Sequence, residues 1–460
     1  VMAVPDSYLE RYAQSHDIPR LPLQLDGGAG TPGRMSAPAT RVFLLPAAIA
    51  LTGGAVLGTL RGVLEQAWAA YDLDGAAARP QQHPFVRLAA ALAGEATDGA
   101  CALWLALPPE LDALRWWTEQ LMEESLGKGG KGIVVFSDQR LAIPPAAARD
   151  SAPRLGGLQL PILPEPAPDG VALAVTPELS APSGERTPAA NFTLYQPLLT
   201  GGTAADRLAG LAALFLGLQL CTALYAYLHD ISFVGQPAVE RYKARARELR
   251  TAGDPLQAAL AATTPLTDGG TRLLPPHHAL PLPPATTSLA EIVAVALAPP
   301  PTYLDLTING EVADQDIAAL DALLRRLGND VLGIPVKLRR APASYHSTEQ
   351  SEMDGPPGLV SVRALAAQSD SSLLGSYDAT FLRAQAVGTW LAMNEQDRGA
   401  DPLSRSEEDQ RSAVPPSRSE EGRTCFLLLY DGDDDAMALA LNRFLADVTH
   451  VVAASKGVRT

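Results

Sequence analysis

The densest run of reactive side chains in the sequence is Glu119-Gln120-Leu121-Met122-Glu123-Glu124-Ser125-Leu126-Gly127-Lys128-Gly129-Gly130-Lys131-Gly132. The pattern predicts a helix that ends in a carboxylate and runs out into a glycine-rich loop with two lysines. A carboxylate at a helix C-terminal end sits near the negative end of the dipole, which tends to raise its pKa. That would suit a general base working near neutral pH. The same residues also suit a plain helix stop, with glycine closing the last turn and lysines complementing the dipole. Arg34 in a Gly- and Pro-rich loop, Lys243 in a helical stretch and His346 next to Ser347 are further candidates. Each of these, taken alone, also fits an ordinary surface or turn position.

Taken together, these residues carry a resemblance. The string from Glu119 to Gly132 resembles the E-Q-L-x-x-E-S-x-G-K-x-G-K-G motif of glucose-6-phosphate isomerases, above all the isomerase half of bacterial transaldolase/phosphoglucose isomerase fusions. Further matches follow in the family's order. Leu9-Glu10-Arg11-Tyr12-Ala13 resembles L-E-x-x-A, Pro32-Gly33-Arg34-Met35-Ser36 resembles G-G-R-x-S, and Leu45-Pro46-Ala47-Ala48 resembles V-P-A-A. The stretch from Ile231 to Lys243 resembles I-N-P-F-D-Q-P-x-V-E-x-x-K. His346-Ser347-Thr348-Glu349-Gln350 resembles H-S-T-G-Q, and Ser376-Tyr377 with Leu382-Arg383-Ala384-Gln385-Ala386 resembles the family's later Y-S-F and L-K-x-A-Q-A segments.

What the resemblance implies is metal-free, cofactor-free interconversion of glucose 6-phosphate and fructose 6-phosphate through an enediol. Glu124 matches the family's base. Arg34 matches the cation beside the developing enediolate oxygen, a case of preorganised electrostatic stabilisation. Lys243 and His346 match ring-opening positions, His346 less closely because this segment is placed differently across family branches. Gly33, Ser125, Gly127, Lys128, Gln236 and Ser347 would shape the substrate site.

The sequence also departs from the family. The Ser/Thr-rich phosphate loop of sugar-isomerase domains, whose backbone N–H groups suit a phosphate, has no counterpart ahead of the first match. Thr263-Thr264 and Thr286-Thr287 lie elsewhere. Either an upstream part is missing from this chain or the loop is lost. The Asn-Pro-Phe-Asp-Gln motif reads Ser232-Phe233-Val234-Gly235-Gln236, Glu349 stands for the Gly of H-S-T-G-Q, and Ser351-Glu352-Met353-Asp354 follows. Acids at these positions would repel a phosphorylated sugar if they faced it. Two alternatives to an active isomerase therefore stand. One is a non-catalytic sugar-phosphate-binding or structural homologue, the other the C-terminal part of a transaldolase/isomerase fusion.

Composition sets the outer limits. The chain has 460 residues, 47% hydrophobic and 19% charged, as expected of a globular protein of several domains. A net charge of -15 argues against nucleic acid and anionic membrane as partners, and leaves a small sugar phosphate and a homo-oligomer as compatible ones. Cys101, Cys221 and Cys425 lie far apart, so neither a thiolate zinc site nor a disulfide framework is expected, and a reducing, cytoplasmic setting fits. The uncharged stretch 208–228 has the length of a membrane span, as does much of 42–60. Pro46, Gly53-Gly54, the polar Gln219 and Thr222, and the lack of one-sided basic flanks favour buried helices of a soluble domain.

The elements that must position these residues are read from periodicity and breakers. Strands are predicted at 1–4, 21–25, 102–107, 132–136, 303–308, 335–339 and 424–430. Helices are predicted at 8–13, 47–71, 111–125, 204–229, 237–251, 313–328, 379–393 and 434–449. The passage 144–188 reads as loop-rich, 273–287 as a proline linker with an idle His277-His278, and 397–423 as a disordered, solvated insertion with a repeated Ser-Arg-Ser-Glu-Glu. The acidic run Asp431 to Asp435 reads as a turn and helix N-terminus rather than a calcium loop. Alternating strands and helices predict an α/β fold with a mainly parallel sheet, and the resemblance implies that it takes the form of sugar-isomerase-like parallel sheets flanked by helices, with an added C-terminal α/β part. The division expected is a first-domain remnant over 1–75, a second sugar-isomerase domain over 76–253, a linker over 254–300 and a C-terminal domain over 301–460.

Overall fold

The computed structural model describes the chain except residues 1–6, 22–32, 52–55, 138–154, 166–172, 176–188, 197–198, 200–201, 277–279, 281, 284–285, 287, 299, 343–348, 369–377, 396–422 and 458–460. The architecture is α/β. One sheet has the strand order β2-β1-β3-β5-β4 and a second, mixed sheet the order β6-β7-β11-β10-β8-β9. The strands are β1 (Ala100–Ala106), β2 (Gly132–Ser137), β3 (Gly156–Leu163), β4 (Leu173–Val175), β5 (Ala189–Tyr195), β6 (Leu266–Asp268), β7 (Thr271–Leu274), β8 (Tyr303–Asn309), β9 (Val336–Arg340), β10 (Leu359–Ala366) and β11 (Thr424–Tyr430). Contacts group the chain into two compact units, Val1–Ala96 with Leu103–Met122 and Gly157–Ile231, and Thr97–Ala102 with Glu123–Gly156 and Ser232–Thr460. This interleaved grouping differs from a linear division at 75, 253 and 300.

The first unit is built on helices α1 (Tyr8–Ser15), α2 (Arg41–Ala50), α3 (Val56–Tyr71), α4 (Leu73–Ala78), α5 (Pro84–Glu95), α6 (Leu114–Glu119) and α7 (Ala204–Leu228). The uncharged run predicted as one long helix is α7. Thr203 and Asp206 start it with a reciprocal capping box. It packs against α3 and α5, and a Cβ on its Gly217 would fall 2.1 Å from the Phe85 ring, so only glycine admits this approach. Among the described residues two helices, α7 and α14 (Asp434–Lys456), are long and apolar enough to cross a membrane by length and composition, and most of α7 is buried inside the protein. Phe43, Ala47, Leu60, Ala67, Ala212 and Ala213 form the adjoining core.

The second unit adds α8 (Pro237–Ala252), α9 (Pro255–Ala262), α10 (Leu289–Ala296), α11 (Asp314–Arg325), α12 (Glu349–Asp354), α13 (Ala379–Glu395) and α14 (Asp434–Lys456). Strand β10 is central, parallel to β8 and β11, with β8 parallel to β9. The period of two sends Leu304, Leu306, Ile308, Val336, Val360, Val362, Phe426 and Leu428 to one face, where they form a core with α10, α11 and α14. The other face carries Asp305, Thr307, Lys337, Arg339, Ser361 and Arg363, all buried. Asp433 caps α14 by accepting from the Ala436 N–H, and Asp434 accepts from the Glu311 N–H at 2.8 Å, as the turn reading of this acidic run requires.

Several predicted elements are corrected. The loop-rich passage 144–188 contains β3 and β4; Pro161 and the flanking prolines hid a strand whose Leu158, Leu160 and Ile162 are fully buried. The proline linker 273–287 opens in β7, which pairs antiparallel with β11 and buries Leu273 and Leu274. The helix 47–71 is two helices, and α2 starts earlier, at Arg41, and carries Pro46 inside it. Strands 1–4 and most of 21–25, His277-His278, Ser376-Tyr377 and all but Arg423 of the insertion 397–423 lie outside the described residues.

Candidate active site

The helix leading to Glu124 is not uniform. A short turn at Pro109–Leu111 leads to α6, and over Gln120–Glu124 the bonding widens to a π turn. Such wide turns reorient side chains locally and recur at functional sites. Glu123 and Glu124 are consecutive, so they leave the turn in different directions. Glu123 is fully buried; its carboxylate accepts from the Val135 N–H of β2 at 2.8 Å and from the Lys337 ammonium, and lies 3.8 Å from the Arg339 guanidinium. Glu124 is 6% exposed, and Ser125 is fully buried.

The loop that follows is held at each step. The Gly127 N–H donates to the Glu123 carbonyl at 3.0 Å, and the Gly130 N–H donates to the Asp354 carbonyl at 2.9 Å. A Cβ on Gly127 would stand 2.5 Å from Ser351 Cα, so glycine is needed for α12 to close on the loop. Gly132 has φ +122, a conformation that favours glycine. Lys128 spans to the segment before α8, donating its ammonium to the carbonyls of Ser232 at 2.5 Å and Val234 at 3.2 Å.

Helix α12 carries Glu349, which stands where the resembled motif has Gly, and Gln350, which matches the motif's Gln. Gln350 is fully buried; its amide donates to the Gly127 carbonyl at 2.9 Å, and its oxygen accepts from the Ala238 N–H at 3.0 Å. Glu349 and Glu352 point the other way, into the charged face of the sheet. Arg363 donates to Glu349 at 3.0 and 3.2 Å and to Glu352 at 2.5 Å. Arg339 donates to Asp305 at 2.5 Å and pairs with Glu352 at 3.2 Å. Glu349 and Glu352 are paired inside the protein, which answers for these two acids the conditional expectation that they would repel a sugar phosphate if they faced it.

Four buried carboxyls, those of Glu123, Asp305, Glu349 and Glu352, thus meet three cations, Lys337, Arg339 and Arg363. Two of the four are held above the ordinary carboxylate range. Burial pushes Glu349 up to about 8, opposed by Arg363 and helped by Glu352. Burial, with Glu352 adding to it, pushes Asp305 up to about 6. Asp354 is also raised by burial, against the bond it receives from the Gly129 N–H. The raised value favours a proton on Glu349, which leaves three carboxylates to three cations.

The remaining predicted residues are placed as follows. Lys243, half-buried on α8, pairs with Glu240 one turn earlier at 3.2 Å. Gln236 precedes α8 at its N-terminal boundary without a side-chain capping bond. His346 and Ser347 lie outside the described residues. Glu124, Ser125, Gly127, Lys128, Gln236 and Lys243 all belong to the second unit. Arg34 and Gly33 belong to the first. There they line a pocket of about 560 Å³ with Ser36, Thr40, Trp117, Gln120 and apolar side chains of α2 and α7. The Arg34 turn closes through the Ser36 N–H to the Gly33 carbonyl at 3.1 Å. Gln219 of α7 fixes it by donating to the Ala37 carbonyl at 2.6 Å.

Sequence reasoning missed Glu123, Gln350, Arg363 and the role of Gln219. A signal existed for Glu123, because two adjacent glutamates on one helix cannot share a direction. None of the cysteines forms a disulfide, and all three are buried. Among the described residues no group of three or more His, Cys, Asp or Glu side chains is placed to hold a metal ion.

No family model matches the sequence, and no curated protein matches it. Among solved structures, the chain is similar to a hypothetical protein from Thermus thermophilus, at 12% identity and TM-score 0.25, over 91% of this chain and 90% of the other. It is also similar to a glucose-6-phosphate isomerase from Chlamydia trachomatis, at 12% identity and TM-score 0.27, over 90% of this chain and 74% of the other.

Proposed function

We propose that the chain is a sugar-phosphate isomerase that interconverts glucose 6-phosphate and fructose 6-phosphate, with Glu124 as the base. The observation that carries the reading is the placement of Glu124. It is a nearly buried carboxylate on a π turn, followed by a glycine- and lysine-bearing loop whose backbone is pinned on both sides. An aldose–ketose exchange needs one carboxylate to remove a proton from one carbon and return it to the next. It needs that carboxylate held still, because a displacement of about 1 Å can cost about a hundredfold in rate. In this reading Glu124 moves the proton between C1 and C2, Arg34 stabilises the enediolate oxygen, and Lys243 and His346 open the ring. Ser125, Gly127, Lys128, Gln236, Gly33 and Ser347 line the sugar.

An assay of purified protein that couples glucose 6-phosphate formation to dehydrogenase reduction of NADP tests this. Turnover of fructose 6-phosphate should fall about a hundredfold or more in Glu124→Gln, which keeps the shape and removes the base. Wild-type turnover no greater than that of the variant ends the reading.

A second reading is a binding homologue without turnover, and one observation favours it. Two cations expected at the substrate are engaged elsewhere, Lys128 with two backbone carbonyls and Lys243 with Glu240. Stabilisation against heat by fructose 6-phosphate without any turnover would select it, since a ligand that binds only the native state raises the melting temperature.

A further inference from the structure

We infer that Gln350 is a positioning residue, one amide side chain that couples the loop after the base Glu124 to the helix that carries Lys243; this rests on the isomerase reading above. Its nitrogen donates to the carbonyl of Gly127, three residues beyond Glu124. Its oxygen accepts from the N–H of Ala238, five residues before Lys243. The Ala238 N–H lies in the first turn of α8, where a helix leaves its donors without intrahelical acceptors. Both ends of the carboxamide are used, and the donor and acceptor roles of its partners fix which way it points. Gln350 is fully buried, so losing either bond leaves a backbone group without water to replace it.

The element that carries Gln350 is itself anchored. Arg363, fully buried in β10, grips Glu349 through two nitrogens and also Glu352. These carboxylates sit just before Gln350 and two residues after it. They hold α12 against the sheet while Gln350 faces the loop and α8. On the loop side, Gly127 lacks a Cβ where Ser351 approaches, and the Gly130 N–H binds the Asp354 carbonyl. Lys128 ties the same loop to the carbonyls of Ser232 and Val234, just ahead of α8. The acids that break the family pattern are thus the fixture of the residue that aligns the base.

The test uses Gln350→Leu and Gln350→Glu in the full chain. Hydrogen–deuterium exchange, which needs no activity, should speed up together over 123–131 and 232–241 in Gln350→Leu, with β10 unchanged. In Gln350→Glu a protonated carboxyl offers the same acceptor and donor as the amide, and an ionised one offers no donor. Its exchange should approach that of wild type as the pH falls, and isomerase kcat should recover in the same range. In Gln350→Leu kcat should drop by about tenfold or more while KM changes little, the mark of lost transition-state alignment.

Unchanged exchange over either segment overturns the coupling, whatever the activity. Changed exchange with unchanged kcat overturns the positioning role. A wild-type protein without turnover removes the isomerase reading, and the exchange result then decides the coupling alone. If Gln350→Leu fails to fold, Gln350→Glu carries the test, and the lack of any low-pH recovery overturns the inference.

Discussion

On one face of the second unit's sheet, Leu306, Ile308, Val362 and Leu428 meet α11 and α14 as an ordinary apolar core. On the other face of the same strands, Asp305, Arg339 and Arg363 meet Glu123 and α12. Both faces are dry, yet they are held by different physics. The apolar face is held by area removed from water and by packing, so it tolerates small changes of volume. The charged face is held by matched pairs, and each partner removed strands another in a medium that solvates it poorly. The lesson is that the candidate site is attached to the second kind of face. Glu123, next to Glu124, and Gln350, between Glu349 and Glu352, are placed by the ion pairs and not by the oily core.

Three substitutions break or sharpen this contrast. The largest effect is expected of Arg363→Met, which leaves Glu349 and Glu352 without their shared partner. It should cost about 3–5 kcal/mol in urea unfolding, against about 0.5–1.5 kcal/mol for Ile308→Val on the apolar face. Equal costs would erase the distinction. Next comes Gly127→Ala, whose methyl meets the Ser351 backbone at 2.5 Å. It should cost about 1–3 kcal/mol as an overpacking change and should lower turnover more than it lowers stability, because the strain falls on the loop beside the base. Retention of full turnover would detach the loop from the site.

The third test is the pH dependence of Glu349, read as a slope and not as a single loss. Its carboxyl is raised from 4.5 to about 8 in the folded protein, so between these values the native state holds a proton that the unfolded chain has released. Stability must then fall as pH rises through that window and level off above it. Glu349→Gln should remove this contribution, so that the stability of the variant falls less steeply across the window than that of wild type. An identical pH slope in both proteins would show that Glu349 is ionised in the native state.

Much of the scaffold is legible in the sequence because local and global signals agree. Strand β11, Thr424–Tyr430, is an unbroken apolar run bounded by polar residues, and its limits are read correctly. The long helix α7 is likewise read from its uninterrupted apolar stretch. Strand β10 is not predicted, although Val360, Val362 and Ala364 alternating with Ser361 and Arg363 carry the pattern of a half-exposed strand. Its burial on both faces depends on Glu349 and Glu352, which are contributed by another element. Where the acids of α12 point is hidden for the same reason. A charge read alone looks repulsive, and only its distant partner shows that it is neutralised. The π turn at Gln120–Glu124 leaves no periodic trace, so the helix around Glu124 is predicted as regular. Motif order, in contrast, singles out Glu124, Ser125, Gly127 and Lys128 as candidates without any of this.

The most direct test of the account is solvent exchange at the sugar carbon. Wild-type protein in deuterated water with glucose 6-phosphate, followed by proton NMR, should lose the C2 proton signal as the base takes it up and returns deuterium. Glu124→Gln should leave that signal in place over the same time, with the protein still folded. Loss of the signal at equal rates in both proteins, or in neither, would contradict the assignment of Glu124 as the base.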